Sequence, residues 1–299
     1  MSAWDTRAVP PFARVDHLVI AVRHLDAAAD AYAAMLGRSP PWRGRHPAYG
    51  TANVLFGLGN CYLELLAPDP GAPPGHPIAA ALATYLEHHA EGVFAIALGS
   101  DDLTATAARL GAAGLSPGPI TDGEASDGRG ATRRWRSFFL DRSATRGVMV
   151  FAIQHAYPAA IASAAPAGDP SSLVTDVDHV VLFSDDLAGA LALWRDAFGI
   201  PERWRREFPE RGTINVGLRL GGVTLELVAP LTSADGAGGE RAWGLAYRVA
   251  DVDAAVARLR AANVAVGDPR PGLAPRTRVC TVKWIDRLPT LLIAPAAQV

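Results

Sequence analysis

The sequence predicts an α+β protein of four related modules, each a strand and a helix followed by further strands. Three observations carry that expectation. The chain has 299 residues, enough at roughly 150 residues per domain for about two domains with a core in each. A shift of 162 residues lays 15–68 on 177–230 without a gap, and repeats of that kind decide architecture. Within the repeated unit, an apolar run rich in β-branched residues precedes an Ala-rich segment of helix length, and strand-like runs follow.

In chain order, Val15 to Val22 reads as a strand and Leu25 to Leu36 as a helix stopped by Gly37, a natural helix terminator. After a Pro/Arg/Gly-rich stretch, Thr51 to Phe56 and Cys61 to Leu66 read as strands about a glycine turn at Gly57 and Gly59. A helix over Ile78 to His89 is inserted before module two. That module reads as a strand (Val93 to Leu98), a helix from about Asp101 to Ala113, and strands at Arg134 to Leu140 and Val148 to Ile153.

Module three repeats module one: VDHLVIAV (Val15 to Val22) falls on VDHVVLFS (Val177 to Ser184). GTANVLFGLGNCYLELLAP (Gly50 to Pro68) falls on GTINVGLRLGGVTLELVAP (Gly212 to Pro230), identical at 11 of 19 positions. Module four reads as Leu245 to Val249, a helix over Val252 to Ala262, then Arg278 to Trp284 and Thr290 to Ala294. The division expected is a first domain over 1–157 (modules 15–68 and 92–155), a linker over 158–174 within an Ala/Pro/Ser/Gly-rich run, and a second domain over 175–299 (modules 177–230 and 242–295).

Hydrophobic residues make up 49% and charged residues 19%, which argues against wholesale disorder. Lys+Arg 28 against Asp+Glu 30 leaves a net charge of −2, without the basic footprint of a nucleic-acid or anionic-membrane binder. The expected partner is a small molecule, with no nucleic acid and no membrane, and the expected state a monomer or homodimer. Cys61 and Cys280 lie far apart in apolar runs with no second Cys at ligand spacing, so a reduced, cytoplasmic protein is expected. Met1 to Arg14 holds no apolar run of signal-peptide length. G-x-S-x-G, P-loop, C-x-x-C and H-E-x-x-H motifs are all missing.

Modules that open with V-D-H plus alternating apolar residues and close with L-E-L-x-A-P resemble the βαβββ units of the vicinal oxygen chelate superfamily. That superfamily includes glyoxalase I, extradiol dioxygenases and bleomycin-resistance proteins. HPAYGTAN at His46 to Asn53 followed by YLELLAP is most similar to its glyoxalase-like domain proteins. The resemblance implies four βαβββ modules forming two cupped, barrel-like domains. It also implies metal ligands from the first strand and the last strand of each module, which carry over to His17 and Glu64, and by the repeat to His179 and Glu226.

Strand alternation places His17 with Val15, Val19 and Ala21, and Glu64 with Tyr62 and Leu66, both facing the concave side. Histidine nitrogen and glutamate oxygen suit a divalent metal such as Ni, Zn, Fe or Mn. The matching positions in module two are Phe94 or Ala95 and Phe151, and in module four Gly244 and Leu291, none of which ligates. A full His-Glu-His-Glu set therefore needs module one to pair with module three, and Gln154 or His155 to ligate needs a register shift.

The leading expectation is a metal-dependent lyase or isomerase acting on a small oxygenated metabolite. Glu64 and His46 are its catalytic candidates, and Trp42, Tyr49, Asn53 and Tyr62 line the substrate. A metal-free binding or sequestering protein of the bleomycin-resistance type is the alternative, and an extradiol-type dioxygenase the third. The first half is expected to carry the pocket: its His46 and Tyr49 stand where the second half has Phe208 and Arg211, and the inserted helix is placed to close over the cup. The arginine clusters Arg133-Arg134-Arg136 and Arg203-Arg205-Arg206 are read as solvated surface.

Overall fold

The computed structural model describes residues 10–72, 75–127, 129–156, 169–232, 239–283 and 288–296. Most of the expected linker (158–168), the N-terminal nine residues and Trp284 lie outside these. The first half holds β1 (Arg14–Ala21), α1 (Leu25–Leu36), β2 (Trp42–His46), β3 (Thr51–Gly57), β4 (Tyr62–Pro68), α2 (Pro77–His88), β5 (Gly92–Gly99), α3 (Leu103–Ala112), β6 (Thr121–Ser126), β7 (Thr132–Phe139) and β8 (Met149–His155). The second half holds β9 (Asp176–Ser184), α4 (Leu187–Leu191) continued by π-helical turns over Ala192–Ala197, β10 (Glu202–Phe208), β11 (Thr213–Leu220), β12 (Val223–Pro230), β13 (Glu240–Arg248), α5 (Val252–Ala261), β14 (Arg270–Pro271), β15 (Thr277–Val282) and β16 (Thr290–Pro295).

Each module closes the same way. Its first strand pairs in parallel with its last, and the helix is the crossover that a parallel pair requires. Modules then join in sequence order: β1 pairs antiparallel with β5, and β9 with β13. The alternative pairing of modules one and three is thereby overturned, because it would need β1 beside β9. In the first half the eight strands close into a barrel ordered β1-β4-β3-β2-β6-β7-β8-β5, with β2 meeting β6 at Arg45 and Ser126.

The second half is an open eight-stranded sheet from β10 to β14. Its missing closure has a local cause. The strand that would meet β10 is β14, only Arg270–Pro271, and Pro271 has no N–H to offer a ladder. Strands β2, β6, β10 and β14 escaped the sequence pattern because they carry no apolar alternation. TDGEAS in β6 and the arginine-studded ERWRREF in β10 are largely exposed.

The bulge between Val15 and His17 in the β1–β5 ladder corrects the expected face of Val15. Val15 joins Leu18, Ile20 and Val22 in the core outside the barrel, while Val19 and Ala21 point into it. That outer core is continuous through both halves, from Leu63 and Met35 to Trp194, Leu225 and Tyr247. A smaller cluster fills the barrel floor, where Leu82 and Leu86 of α2 pack on Val19, Ala21, Leu66, Phe94 and Phe151. The inserted helix thus plugs one barrel end.

The seam between the halves is also polar. Asn60 in the β3–β4 hairpin behaves like a piece of backbone, its Nδ2 donating to Val177 O (2.7 Å) and Gly222 O (3.1 Å) while its Oδ1 accepts from Val177 N (3.1 Å). Arg258 of α5 donates to Ala34 O and Met35 O at 2.6 and 2.7 Å, placing a cation at the negative end of α1. Arg146 Nε meets Glu240 Oε1 at 2.7 Å, and Trp194 Nε1 donates to Glu240 Oε2 at 2.6 Å. No described helix is long and apolar enough to cross a membrane.

Asn60→Ala leaves these seam carbonyls and the Val177 N–H without their partner. The expected cost is about 1–3 kcal/mol, read as a lower denaturant midpoint at unchanged slope.

Candidate functional site

Alternation along five strands brings the inner faces of the first barrel together. β1 contributes His17 and Val19, β3 Thr51, Asn53 and Leu55, and β4 Tyr62, Glu64 and Leu66. β7 contributes Arg133, Trp135, Ser137 and Phe139, and β8 Met149, Phe151, Ile153 and His155. His46 at the end of β2, Tyr49, Ala125, Phe94, Ala95 and Ile78 of α2 complete the lining of a cavity of about 80 Å3.

The polar side of this cavity is one hydrogen-bonded chain. Asn53 Nδ2 donates to Glu64 Oε1 at 2.7 Å and lies 3.2 Å from His46 Nε2, while Asn53 Oδ1 accepts from Trp42 Nε1 at 3.3 Å. His17 Nε2 lies 3.3 Å from Glu64 Oε2, and His17 Nδ1 donates to Asp16 Oδ1 at 2.8 Å. His155 Nε2 reaches the same Asp16 oxygen at 3.0 Å. The bulge in β1 is what allows the consecutive residues Asp16 and His17 both to be buried here. The amide of Asn53 donates to His46 Nε2, so His46 carries its proton on Nδ1, 3.0 Å from Thr51 Oγ1.

Charge follows from these contacts. Burial alone would raise Glu64, but the hydrogen bonds from His17 and Asn53 and the nearby imidazoles bring it down to about 2, so it is ionised at any working pH. Burial opposes protonation of His17, yet Asp16 and Glu64 on its two nitrogens hold its pKa above the ordinary value. His46 goes the other way: burial, aided by the charges of Arg133 and His17, outweighs Glu64 and lowers it, leaving a neutral ring. Burial pushes the Tyr62 hydroxyl well above its usual range.

Of the predicted residues, the barrel gathers His17, Glu64, His46, Tyr49, Asn53 and Tyr62. His46 is a buried strand residue. Trp42 lies outside the cavity lining and acts through Asn53. His179 and Glu226 stand in the second sheet, so the expected four-residue metal set does not assemble. They rebuild the same motif there, with His179 Nε2 3.3 Å from Glu226 Oε2 and Asn215 Nδ2 donating to Glu226 Oε1 at 2.6 Å. Arg248 Nε on Asp178 Oδ2 at 2.6 Å takes the place of His155.

His155 reaches the cavity without a register shift, since it shares a face with Phe151 and Ile153, while Gln154 turns away to Asp101 O. Arg133 is a second correction: it faces the cavity, whereas Arg134 on the opposite face pairs with Glu124 outside. The alternation of Arg133, Trp135, Ser137 and Phe139 was the signal that marks them as lining. Asp16 had no such signal, because a bulge leaves no mark on periodicity.

The glyoxalase-like domain family matches residues 15–170, more than half of the chain, and the glyoxalase/bleomycin resistance protein/dioxygenase superfamily matches residues 178–281. No curated protein matches the chain. Among solved structures, a mutant of 4-hydroxymandelate synthase from Streptomyces coelicolor is similar at TM-score 0.65 and 17% identity, over 97% of this chain and 95% of that one. A hypothetical protein from Staphylococcus aureus is similar at TM-score 0.62 and 13% identity, over 93% of this chain and 97% of its own. At these identities the likeness is one of fold.

The opposed shifts of the two histidines have opposite consequences for stability. The contribution of His17 is full below the unfolded value of about 6.5 and is lost as pH rises through its raised folded value. The cost of burying His46 appears as pH falls below about 6.5, where the unfolded chain takes up a proton that the folded ring refuses. In an imidazole NMR titration His17 is expected to titrate above about 6.5 and His46 below it. The reverse order would contradict the hydrogen-bonded chain described.

Proposed function

The chain belongs to the glyoxalase-like branch of the vicinal oxygen chelate superfamily, and on that premise we propose that it takes a small oxygenated metabolite into the first barrel and moves a proton on it. One observation carries this reading: a neutral imidazole, His46, and an ionised carboxylate, Glu64, share the polar side of a cavity whose opposite wall is carbon. A general base must be unprotonated before it acts, which the lowered His46 is; Glu64, ionised but brought down to about 2, is too weakly basic for that work. His46 Nε2 accepts the proton as it gives up the 3.2 Å hydrogen bond from Asn53, the longer of the two made by that amide nitrogen, which keeps its 2.7 Å bond to Glu64. Glu64 Oε1, 3.8 Å away, offsets the charge that then forms on the ring, and Thr51 holds the far nitrogen.

The divalent metal that the resemblance implies does not fit the donors present. His17 and Glu64 are two of four expected positions, and the other two are Ala95 and Phe151, which offer only carbon. Among the described residues no group of three or more His, Cys, Asp or Glu is arranged to hold a metal ion. No step is therefore routed through one. Those carbon positions are what favours the second reading, binding without turnover. The two buried, unpaired cysteines suit a reducing compartment.

The test is exchange of carbon-bound hydrogen in D2O, followed by NMR over a panel of small hydroxyketones and 2-oxo acids. The wild type is expected to exchange at least one, His46→Gln to slow it by about 100-fold or more, and chelator to leave it unchanged. Undiminished exchange in His46→Gln defeats the assignment of the base. Saturable binding with no exchange in the wild type establishes the sequestering reading. Stoichiometric Ni, Zn, Fe or Mn that disappears in His17→Ala restores the metalloenzyme.

A further inference from the structure

The inner face of β7 begins with a cation. Arg133 is half-buried at the end of the barrel opposite α2, with its guanidinium carbon 5.7 Å from the Trp42 ring centroid and 5.3 Å from that of Tyr62. Both rings are themselves fixed, Trp42 by its N–H on Asn53 and Tyr62 by stacking at 4.4 Å on His17. Among the described residues no carboxylate lies within ion-pair distance of Arg133, although Arg134 next to it holds Glu124 at 2.7 Å. An arginine pre-ordered by two aromatic faces and left without an acid offers its planar fork to an incoming one.

The rest of the cavity describes the body of the acid. Phe94, Phe139, Met149, Phe151 and Ile153 line the wall away from the polar chain, and α2 seals the end that Arg133 does not occupy. Such a chamber has a charged mouth, an apolar wall facing the polar chain and little room, about 80 Å3. From this we infer that Arg133 recognises the carboxylate of a small monocarboxylic acid whose apolar chain or single ring points towards α2. The inference rests on the reading of the first barrel as the binding cavity and gives that reading its substrate class. β6 alone separates Arg133 from His46: Ala125 pairs with Arg133 on one side and Ser126 with Arg45 on the other. The bound acid would therefore present the atoms next to its carboxylate on the His46 side.

Calorimetric titration of isobutyrate and benzoate against isobutyramide and benzamide separates charge recognition from shape. The wild type is expected to prefer each acid over its amide by about tenfold or more, the gain of charge-assisted over neutral hydrogen bonds. Arg133→Gln is expected to abolish that preference while leaving amide affinity unchanged, and Arg133→Lys to retain part of it. Thermal unfolding of both variants shows whether the barrel is intact. Equal affinity for acid and amide in the wild type overturns the inference, as does a preference that survives in Arg133→Gln. If neither acids nor amides bind, the cavity reading falls with it; if the amides alone bind, the cavity stands and the assignment of Arg133 fails.

Discussion

A carboxylate surrounded by carbon needs partners on every side, and the first barrel is arranged to supply them to Glu64. Asn53 donates to one oxygen and His17 lies beside the other, and neither could do so alone. Asn53 must be turned by Trp42, and His17 must be held by Asp16, which in turn needs His155 from the far end of β8. The last link joins module one to module two across β5. The outcome is an ionised Glu64 on the polar side of the cavity with a partner at each oxygen, and behind it an Asp16 held by two imidazoles.

The two halves show how differently nearly the same strands can be enclosed. Both keep the Asp-His pair, the glutamate and the asparagine in the same register, with His17 opposite Tyr62 and His179 opposite Thr224. What differs is what encloses them. The second half has no described counterpart of α2, and its Trp204 and Trp243 are 41% and 44% exposed. Its β14 is two residues long, so the sheet stays open and His179 is more accessible than His17. A buried network and an accessible one have been made from nearly the same strands.

Much of this was legible in the sequence, and the parts that were not have physical reasons. α1, the β3–β4 hairpin and the inward pointing of Glu64 follow from periodicity and from a glycine stop, because α1 buries one face and β4 alternates between the outer core and the cavity. Strands such as β6 and β10 carry no such pattern because a strand at the edge of its module is held by a neighbour's hydrogen bonds and needs no apolar stripe. The His17–Glu64 pairing was visible as residue types but not as chemistry. Whether such a pair binds metal or bonds to itself depends on residues elsewhere in the barrel, here Ala95 and Phe151. Arg133 reads as surface because arginine usually is, and the alternation along β7 that marks it as lining takes on that meaning only once the barrel is closed.

The core that runs unbroken across both halves divides each sheet into two faces with different freedom. Convex faces are committed: Leu63, Val180, Leu225 and Tyr247 touch the common interior, and a change there is felt by the whole chain. Concave faces owe nothing to one another. The second half contributes Trp194, Leu225 and Tyr247 to that common interior, so each half completes the outer core of the other. A change on a convex face is therefore shared by both halves, whereas the loss of Asn53 or His17 inside the first cup falls directly on Glu64.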